Sequence, residues 1–443
     1  MKKLIETIKN IWRIEDLRTR LLITFLFVAI YRLGSFVVLP GIDPTALSAL
    51  HEQTSEGLMS LLNMFSGGAF ENASVFALGI MPYISASIII QLLTMVLPSL
   101  RKLSMEGESG RNKINQYTRL LTVVVLIFQS FAYLTNLRYQ IGPAIVNWGW
   151  WFNFSSIVIL TAGSMFVMWL GERITDKGIG NGISFLIMIG IIARFPTAIS
   201  QEFVQAASST GNLVLFLLEI VFLLIVIGIS ILLVQGTRKV PVQYAKQIRG
   251  NRQYGGVRQY IPLKVNAAGV MPIIFAQAIM FIPLVFAGFA SQNTASFWSS
   301  FFDNTTFTYN FVFAILIIIF TYFYTAITMN PQQMSDAIKS QNGFIPGIKP
   351  GKKTTEFLDK IMSRITLPGS IFLAFVAILP CFARILGVTQ EFSQFFGGTS
   401  LLILVGVILD TLQQIESHLM MHHYDGLMKN GKIKGRTGSV AAY

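Results

Sequence analysis

Long apolar stretches constrain this chain more than any other feature of its sequence. An α-helix needs about 20 apolar residues to cross about 30 Å of hydrocarbon. Only 12% of the residues are charged, against about a quarter in soluble domains. We therefore predict a polytopic all-α membrane protein with ten transmembrane helices, at Leu21–Leu39, Val75–Leu97, Leu120–Leu137, Phe154–Leu170, Ile183–Ile199, Leu213–Val234, Ala267–Phe289, Phe311–Met329, Ile365–Ala383 and Leu401–Met421.

The basic residues fall almost entirely on one side of these spans. Ten spans place both termini on the same side, and of the 34 Lys and Arg residues all but four belong to the termini or to loops on that side. The four exceptions are Arg32, Arg138, Arg194 and Arg384. Because cytoplasmic loops are enriched in Lys and Arg, we predict that both termini are cytoplasmic and that the net charge of +13 reflects topology.

The order of the spans predicts two halves. Five spans per half is an odd number, so a duplicated half inserts upside-down relative to its partner, and inverted repeats of this kind build a site or pore at their interface. We predict a cytoplasmic amphipathic segment at 1–20, an N-terminal half at 21–200 and a C-terminal half at 201–421 with cytoplasmic loops at 235–265 and 331–364. A cytoplasmic tail follows at 422–443.

One apolar segment, at about 58–72, is too short to span. As a helix, Leu58 to Ser66 covers only about 13 Å, and Gly67-Gly68 then breaks it. Such segments are tolerated at membrane depth only against protein or in a water-filled cavity. Two alternatives follow, an interfacial loop on the exoplasmic side and a short re-entrant helix at a pore mouth.

The second span combines apolar residues with polar ones. Pro82 removes a backbone hydrogen bond and predicts a kink, while Ser85, Ser87 and Gln91 place polar groups in the membrane. Such groups fit either ordinary helix–helix packing or contact with water.

Specific strings then narrow the interpretation. Asn63 to Leu93 closely resembles the plug and second helix of the SecY family of protein-conducting channels, and further matching strings recur in the family's order along nearly the whole chain. The matching strings are NMFSGGAFENASVFALGIMPYISASIIIQLL, EGESGRNKINQYTR, MWLGERITDKGIGNGIS, PLKVNAAGVMPIIFA, FIPGIKPGKKT and FGGTSLLI.

The resemblance implies a clamshell around a central pore, a re-entrant plug and an exit toward lipid. In that family an apolar ring seals the pore, because branched aliphatic side chains offer water and ions no hydrogen bonds and a narrow ring of them dewets. The lateral gate lies between the second and third and the seventh and eighth spans. The residues carried over are Ile80, Ile84, Ile183, Ile187, Ile274 and Ile403 for the ring, Leu61, Leu62, Asn63, Met64, Phe65, Ser66, Gly67 and Gly68 for the plug, and Ser85, Ser87, Gln91, Gln129 and Asn266 for the gate.

The resemblance also implies the family's role and partners. It implies a channel subunit of the bacterial cell (inner) membrane that passes unfolded preproteins and signal peptides, releases apolar segments into membrane lipids, and works with SecE, SecG, the SecA motor ATPase and the ribosome. The docking residues carried over are Arg238, Lys239, Lys246, Arg249, Arg252 and Lys349. The family often has Arg where this chain has Lys349, and Lys keeps the charge without the bidentate fork.

Other activities find little support in the sequence. His418 and His422 have helical i, i+4 spacing, but interfacial histidines explain them better than a metal site. The stretch KPGKKT resembles a P-loop, but Pro346 stands at the first glycine position and Lys353 replaces the Ser or Thr, so we predict no enzyme, no metal and no cofactor. An inverted-repeat transporter of a small solute is the main alternative, although its site should be polar at midplane rather than apolar.

Three acidic residues fall within predicted spans. Glu219, Asp410 and Glu416 are functional suspects because ionisable groups in membranes are costly. They equally fit a role in holding helices together, and the sequence leaves both interpretations open.

Overall fold

The computed structural model describes residues 12, 14–43, 63, 66–141, 149–208, 213–244, 247–249, 252–254, 258–287 and 306–429. The predicted plug residues Leu61, Leu62, Met64 and Phe65 and the docking residue Lys246 lie outside this described part. The described helices are α1 Glu15–Gly34, α2 Met81–Val96, α3 Pro98–Met105, α4 Glu108–Ile141, α5 Trp150–Lys177, α6 Gly182–Ser208, α7 Leu213–Gln235, α8 Met271–Ala287, α9 Phe307–Thr328, α10 Pro331–Ser340, α11 Lys352–Ile385, α12 Gln390–Ser393 and α13 Gly398–Lys429.

Each of the ten predicted spans falls on one of these helices, namely α1, α2, α4 to α9, α11 and α13. Within the described residues, seven helices are long and apolar enough by themselves to cross a membrane, and an eighth span is obtained if α2 and α3 are counted together across their bend. The predicted class, a multi-pass helical membrane protein, is confirmed.

The second span starts later than predicted. Residues 66–80 form consecutive turns, and α2 begins only at Met81 rather than near Val75. Positive φ angles at Ala73 and Gly79 interrupt any helix there. Pro82 therefore lies in the first turn of α2, where no intrahelical N–H is needed, and the mid-span kink predicted for it is wrong.

Three predicted domain boundaries fall inside helices. Pro196 lies within α6, which continues to Ser208, so the connection between the predicted halves follows residue 208 instead of residue 200. At the other end α13 extends to Lys429, past the predicted start of the tail at 422. At the N-terminus, α1 begins at Glu15 instead of Leu21. Its first turn carries the acidic residues Glu15 and Asp16, so a search for apolar stretches places the start of the span too late.

The predicted cytoplasmic loops contain β-structure, which apolar span counting does not reveal. Strands β1 Thr237–Tyr244, β2 Gln247–Arg249, β3 Arg252–Tyr254 and β4 Arg258–Lys264 form antiparallel pairs, and β5 Gly343–Phe344 joins β1 from the second loop. Val240, Val242 and Leu263 pack with Ile338 of α10 and Leu358 of α11 in a separate apolar cluster. The two loops therefore fold together as one small unit at the end of α11.

The helices pack as two groups joined along one side. In the first group α1 contacts α5 and α6, and α2 contacts α4. In turn, α4 contacts α5, and α5 contacts α6. In the second, α8 contacts α9, α9 contacts α11, and α11 contacts α13, which also packs on α7. The groups meet where α6 packs on α7, α12 and α13, whereas in the described part of the chain the pair α2 and α4 makes no extensive contact with the pair α8 and α9.

Candidate functional site

The six isoleucines predicted to line a ring come together in one apolar cluster. Ile80 precedes α2, Ile187 belongs to α6 and Ile403 to α13, and all three are buried at 2–4% exposure. The other three, Ile84, Ile183 and Ile274, are half-buried and pack against the same cluster. Segments from both helix groups thus contribute aliphatic side chains to one centre, and their role as a pore ring stays a prediction.

Residues 66–73, which include the end of the plug segment, form a set of tight turns. Gly67 and Gly68 have φ angles of +65° and +89°, the left-handed region that glycine enters without a steric penalty. The Gly68 N–H donates to the Asn63 carbonyl at 2.9 Å, and the Ser66 hydroxyl donates to the same carbonyl at 3.0 Å. Asn63 and Ser66 are buried at 1% and 3% exposure. The segment is therefore compact and enclosed by protein, which argues against an interfacial loop.

Three side chains from the surrounding helices bind carbonyl groups of this segment. The Tyr31 hydroxyl of α1 donates to the Ser66 carbonyl at 3.1 Å, and Arg32 Nη1 donates to the Gly67 carbonyl at 2.8 Å. On the other side the Tyr133 hydroxyl of α4 donates to the Phe70 carbonyl at 3.0 Å. Turn carbonyls buried at membrane depth need partners, and these contacts supply them.

A buried ion pair completes the attachment of the segment. Arg194 Nη2 of α6 and Asn63 Nδ2 both donate to Glu71 Oε2, while the Glu71 N–H donates to Asn63 Oδ1 at 3.2 Å. The side chains of Arg194 and Glu71 are only 15% and 8% exposed. The carboxylate is thus held by charge on one side and by an amide on the other.

The helices predicted to flank a lateral gate form two closely packed pairs. α2 packs on α4 and α8 packs on α9, whereas among the described residues the first pair makes at most slight contact with the second. The gate residues show little bonding across this seam: the Ser85 hydroxyl donates to the Met81 carbonyl of its own helix at 3.1 Å. Asn266 is buried, and its Oδ1 lacks a hydrogen-bond partner. In the described part of the chain the Ser85 hydroxyl therefore bonds within its own helix.

The remaining gate residues lie on α2 and α4. In the described part of the chain their side chains make no hydrogen bond to α8 or α9. Ser87, Gln91 and Gln129 are all half-buried, the first two on α2 and the third on α4. Thr94 donates to the Gln91 carbonyl at 2.6 Å. Half-burial keeps these polar groups partly accessible at the seam, and their role in a gate stays a prediction.

Two further contacts join the helix groups away from the seam. Glu202 of α6 accepts hydrogen bonds from the Thr389 N–H at 2.9 Å and from the Thr389 hydroxyl, just before α12. At the opposite end of α6, the Gly180 N–H donates to Gln414 Oε1 of α13 at 2.8 Å. α6 is therefore fastened to the second group near both of its ends.

The predicted docking residues lie on the β-strand unit. Arg238 and Lys239 are exposed on β1, and Lys349 is exposed in the loop that precedes α11. Arg249 and Arg252 end β2 and begin β3, and they are direct partners in the register of that hairpin. The structure thus gathers these positions on one unit and leaves their binding role as a prediction.

Several residues of the site were not predicted from the sequence. Tyr31, Tyr133, Glu71 and Glu202 all make buried hydrogen bonds that periodicity does not reveal. The three acidic residues that were predicted to lie within spans differ in burial: Glu219 is buried at 5% exposure, while Asp410 and Glu416 are exposed. The sequence offers one clue to these buried contacts: Arg194 is a basic residue inside a predicted span, near the side of the membrane that has few charges.

Comparisons with known proteins agree with this geometry. The family model described as SecY matches residues 74–412. The chain is 42% identical over 426 residues to protein translocase subunit SecY of Escherichia coli strain K12, covering 95% of this chain and 96% of that protein. It is 40% identical over 439 residues to the protein of the same name from Thermotoga maritima, covering 97% of this chain and 99% of that protein.

Solved structures show the same fold at lower identity. The chain matches the structure of a protein-conducting channel with a TM-score of 0.61 and 16% identity, covering 90% of this chain and 92% of that one. It matches Sec61 in the canine ribosome–channel complex with a TM-score of 0.58 and 15% identity, with the same coverage. The comparisons give no support to a secondary transporter, and the matched relatives are named as subunits of a protein translocase. This chain belongs to the SecY family.

Proposed function

We propose that this chain forms the channel through which unfolded polypeptides cross the bacterial cell (inner) membrane and from which apolar segments enter lipid. The observation that carries the proposal is that Ile80, Ile187 and Ile403, from both helix groups, are buried in one apolar cluster, with a compact polar-anchored plug adjoining it. A ring of aliphatic side chains excludes ions by dewetting. It also deforms around any passing sequence, because it makes no directional bonds.

The open seam supports the sideways exit. α2 and α4 face α8 and α9 with little close packing between the pairs in the described part of the chain. Interhelical hydrogen bonds in membranes average about 0.6 kcal/mol each, while each Leu, Ile, Phe or Val of a passenger gains roughly 0.3–0.6 kcal/mol on insertion. The free energy that a passenger helix of about 20 apolar residues gains on entering lipid therefore exceeds the free energy of the few polar contacts that hold such a seam.

The charge distribution supports the proposed orientation and partners. With cytoplasmic termini, the β-strand unit with Arg238, Lys239, Arg249 and Arg252 faces the cytoplasm, where phosphate-rich ribosomal RNA or the SecA motor docks. The relative Sec61 is seen in a ribosome–channel complex, and we infer the same for this chain. SecE and SecG are the membrane subunits proposed to flank it.

Reconstitution tests the proposal. Vesicles that hold this chain with SecE and SecG are given SecA, ATP and a radiolabelled secretory precursor, and protease protection of the precursor is measured against vesicles without the chain. We expect protection that requires both ATP and this chain. Uptake of a small solute with no protection of the precursor would overturn the proposal.

A further inference from the structure

The link between Glu71 and Arg194 differs in kind from the other attachments of the plug. Tyr31, Arg32 and Tyr133 all donate to backbone carbonyls, so they hold the segment whatever its side chains are. The Glu71–Arg194 pair requires one specific side chain from the plug and one from α6. Within the described residues it is the ion pair that joins the plug to the helix bundle.

Burial makes this pair sensitive to the loss of either member. Both side chains are at most 15% exposed. A buried charge that loses its partner strongly destabilises the folded state that contains it. Asn63 adds a neutral contact to the carboxylate and fixes its position within the turn. The ion pair therefore favours a single position of the plug against α6.

Arg194 also has a second acidic neighbour, in the other helix group. Glu391 of α12 interacts electrostatically with Arg194, and α12 packs on α6. The ring centroids of Phe195 and Phe395 lie 5.0 Å apart in an edge-to-face arrangement, and this contact keeps the two segments together. Arg194 therefore has a hydrogen-bonded acidic partner on the plug and a second acidic residue on a helix that packs on α6.

We propose that Glu71 and Arg194 form a releasable latch that positions the plug in the closed channel, and that Arg194 pairs with Glu391 when the plug leaves. The exchange of partners removes the main cost of opening, which is an uncompensated buried arginine. The latch rests on the proposed channel function, and Glu71, Arg194 and Glu391 act as positioning residues for the plug.

Resting conductance and plug accessibility test the latch in the complete channel complex. We replace Cys381, the one cysteine in the chain, with Ser and introduce Ala69→Cys, since Ala69 is fully buried in the plug turns. An impermeant maleimide then labels the plug only when it leaves. Glu71→Gln and Arg194→Gln should each raise resting conductance and labelling at least about tenfold. Arg384→Gln, which removes a half-buried arginine near the end of α11, should change neither.

Charge exchange separates a latch from a general structural effect. The double variant Glu71→Arg with Arg194→Glu should bring conductance and labelling back toward the parent values, and Arg194→Lys should leak less than Arg194→Gln. Single variants that match Arg384→Gln, or a double variant that leaks as much as the singles, would overturn the latch.

The partner exchange has its own readout. Glu391→Gln should lower the labelled fraction while a precursor is stalled in the channel, relative to the parent, because the displaced arginine then lacks an acidic partner. Equal labelling with the stalled precursor would overturn the exchange. Parent channels that fail to protect any precursor would instead contradict the proposed function, so the two failures are distinguishable.

Discussion

The backbone N–H of Gly180 donates a hydrogen bond to Gln414 Oε1 at 2.8 Å. Gly180 lies in the turn between α5 and α6 with a φ of +82°, and Gln414 lies on α13 in the other helix group. Thr24 of α1 accepts a bond from the neighbouring Ile179 N–H at 3.3 Å. One glycine-rich turn therefore ties together α1, α6 and α13.

Replacing Gln414 with Leu should weaken the junction between the helix groups. The Gly180 N–H would lose its acceptor, and an unsatisfied donor costs about 1–3 kcal/mol. Thermal unfolding of the purified complex in detergent measures the effect, and Gln413→Leu, one position away on the same helix, is the matched control. A midpoint no lower than that of the control would contradict the importance of this contact.

Thr389→Val should loosen the other junction, near the opposite end of α6. Valine keeps the shape of threonine but removes the hydroxyl that donates to Glu202, and hydrogen bonds to charged groups contribute about 1.5–3 kcal/mol. We expect a lower unfolding midpoint in detergent for Thr389→Val and a nearly unchanged midpoint for Thr389→Ser, which keeps the donor. Equal midpoints for the two variants would count against the contact.

Span count and membrane class could be predicted from the sequence because each helix carries its own apolar stretch. The polar contacts of the plug could not, because Tyr31 and Tyr133 look like ordinary apolar-face residues until the turn carbonyls that they bind are in place. The β-strand unit was missed for a related reason: β1 pairs with β5, about 100 residues away in the chain, and no local pattern records that pairing.

Gly67→Ala should displace the plug, whereas Gly68→Ala should not do so to the same extent. A Cβ at Gly67 would lie 2.8 Å from Arg32 Nη1 and 2.9 Å from the Cα of Gly190, while a Cβ at Gly68 meets nothing within 4 Å. Both positions have positive φ, so the backbone strain of about 1–2 kcal/mol is shared and only the clash differs. Single-channel recordings should show a larger resting leak for Gly67→Ala, and equal leaks would contradict a tight seat for this turn.

Replacing Ile84 and Ile274 together with Gly should raise the resting ion leak. Both side chains pack at the edge of the central cluster, and their removal widens the apolar constriction that excludes water. Glycine also costs a helix about 1 kcal/mol at each position, so Ile89→Gly, on the exposed face of α2, controls for helix weakening. A conductance equal to that of the Ile89 variant would contradict the assignment of these residues to the ring.

Charge reversal at the tip of the β2–β3 hairpin should weaken docking of the ribosome. Arg249 and Arg252 are paired in register, so their replacement by Glu changes two adjacent cationic positions without altering any membrane span. Each phosphate contact contributes about 0.7–0.9 to the slope of log affinity against log salt concentration, so loss of two contacts should lower the slope by roughly 1.4–1.8. Sedimentation of ribosomes with reconstituted vesicles at several salt concentrations measures this slope. Arg384→Glu changes the charge on the side of the membrane that we predict to be opposite the hairpin and should leave the slope unaltered. Binding by the double variant that matches this control at every salt concentration would refute docking through the hairpin.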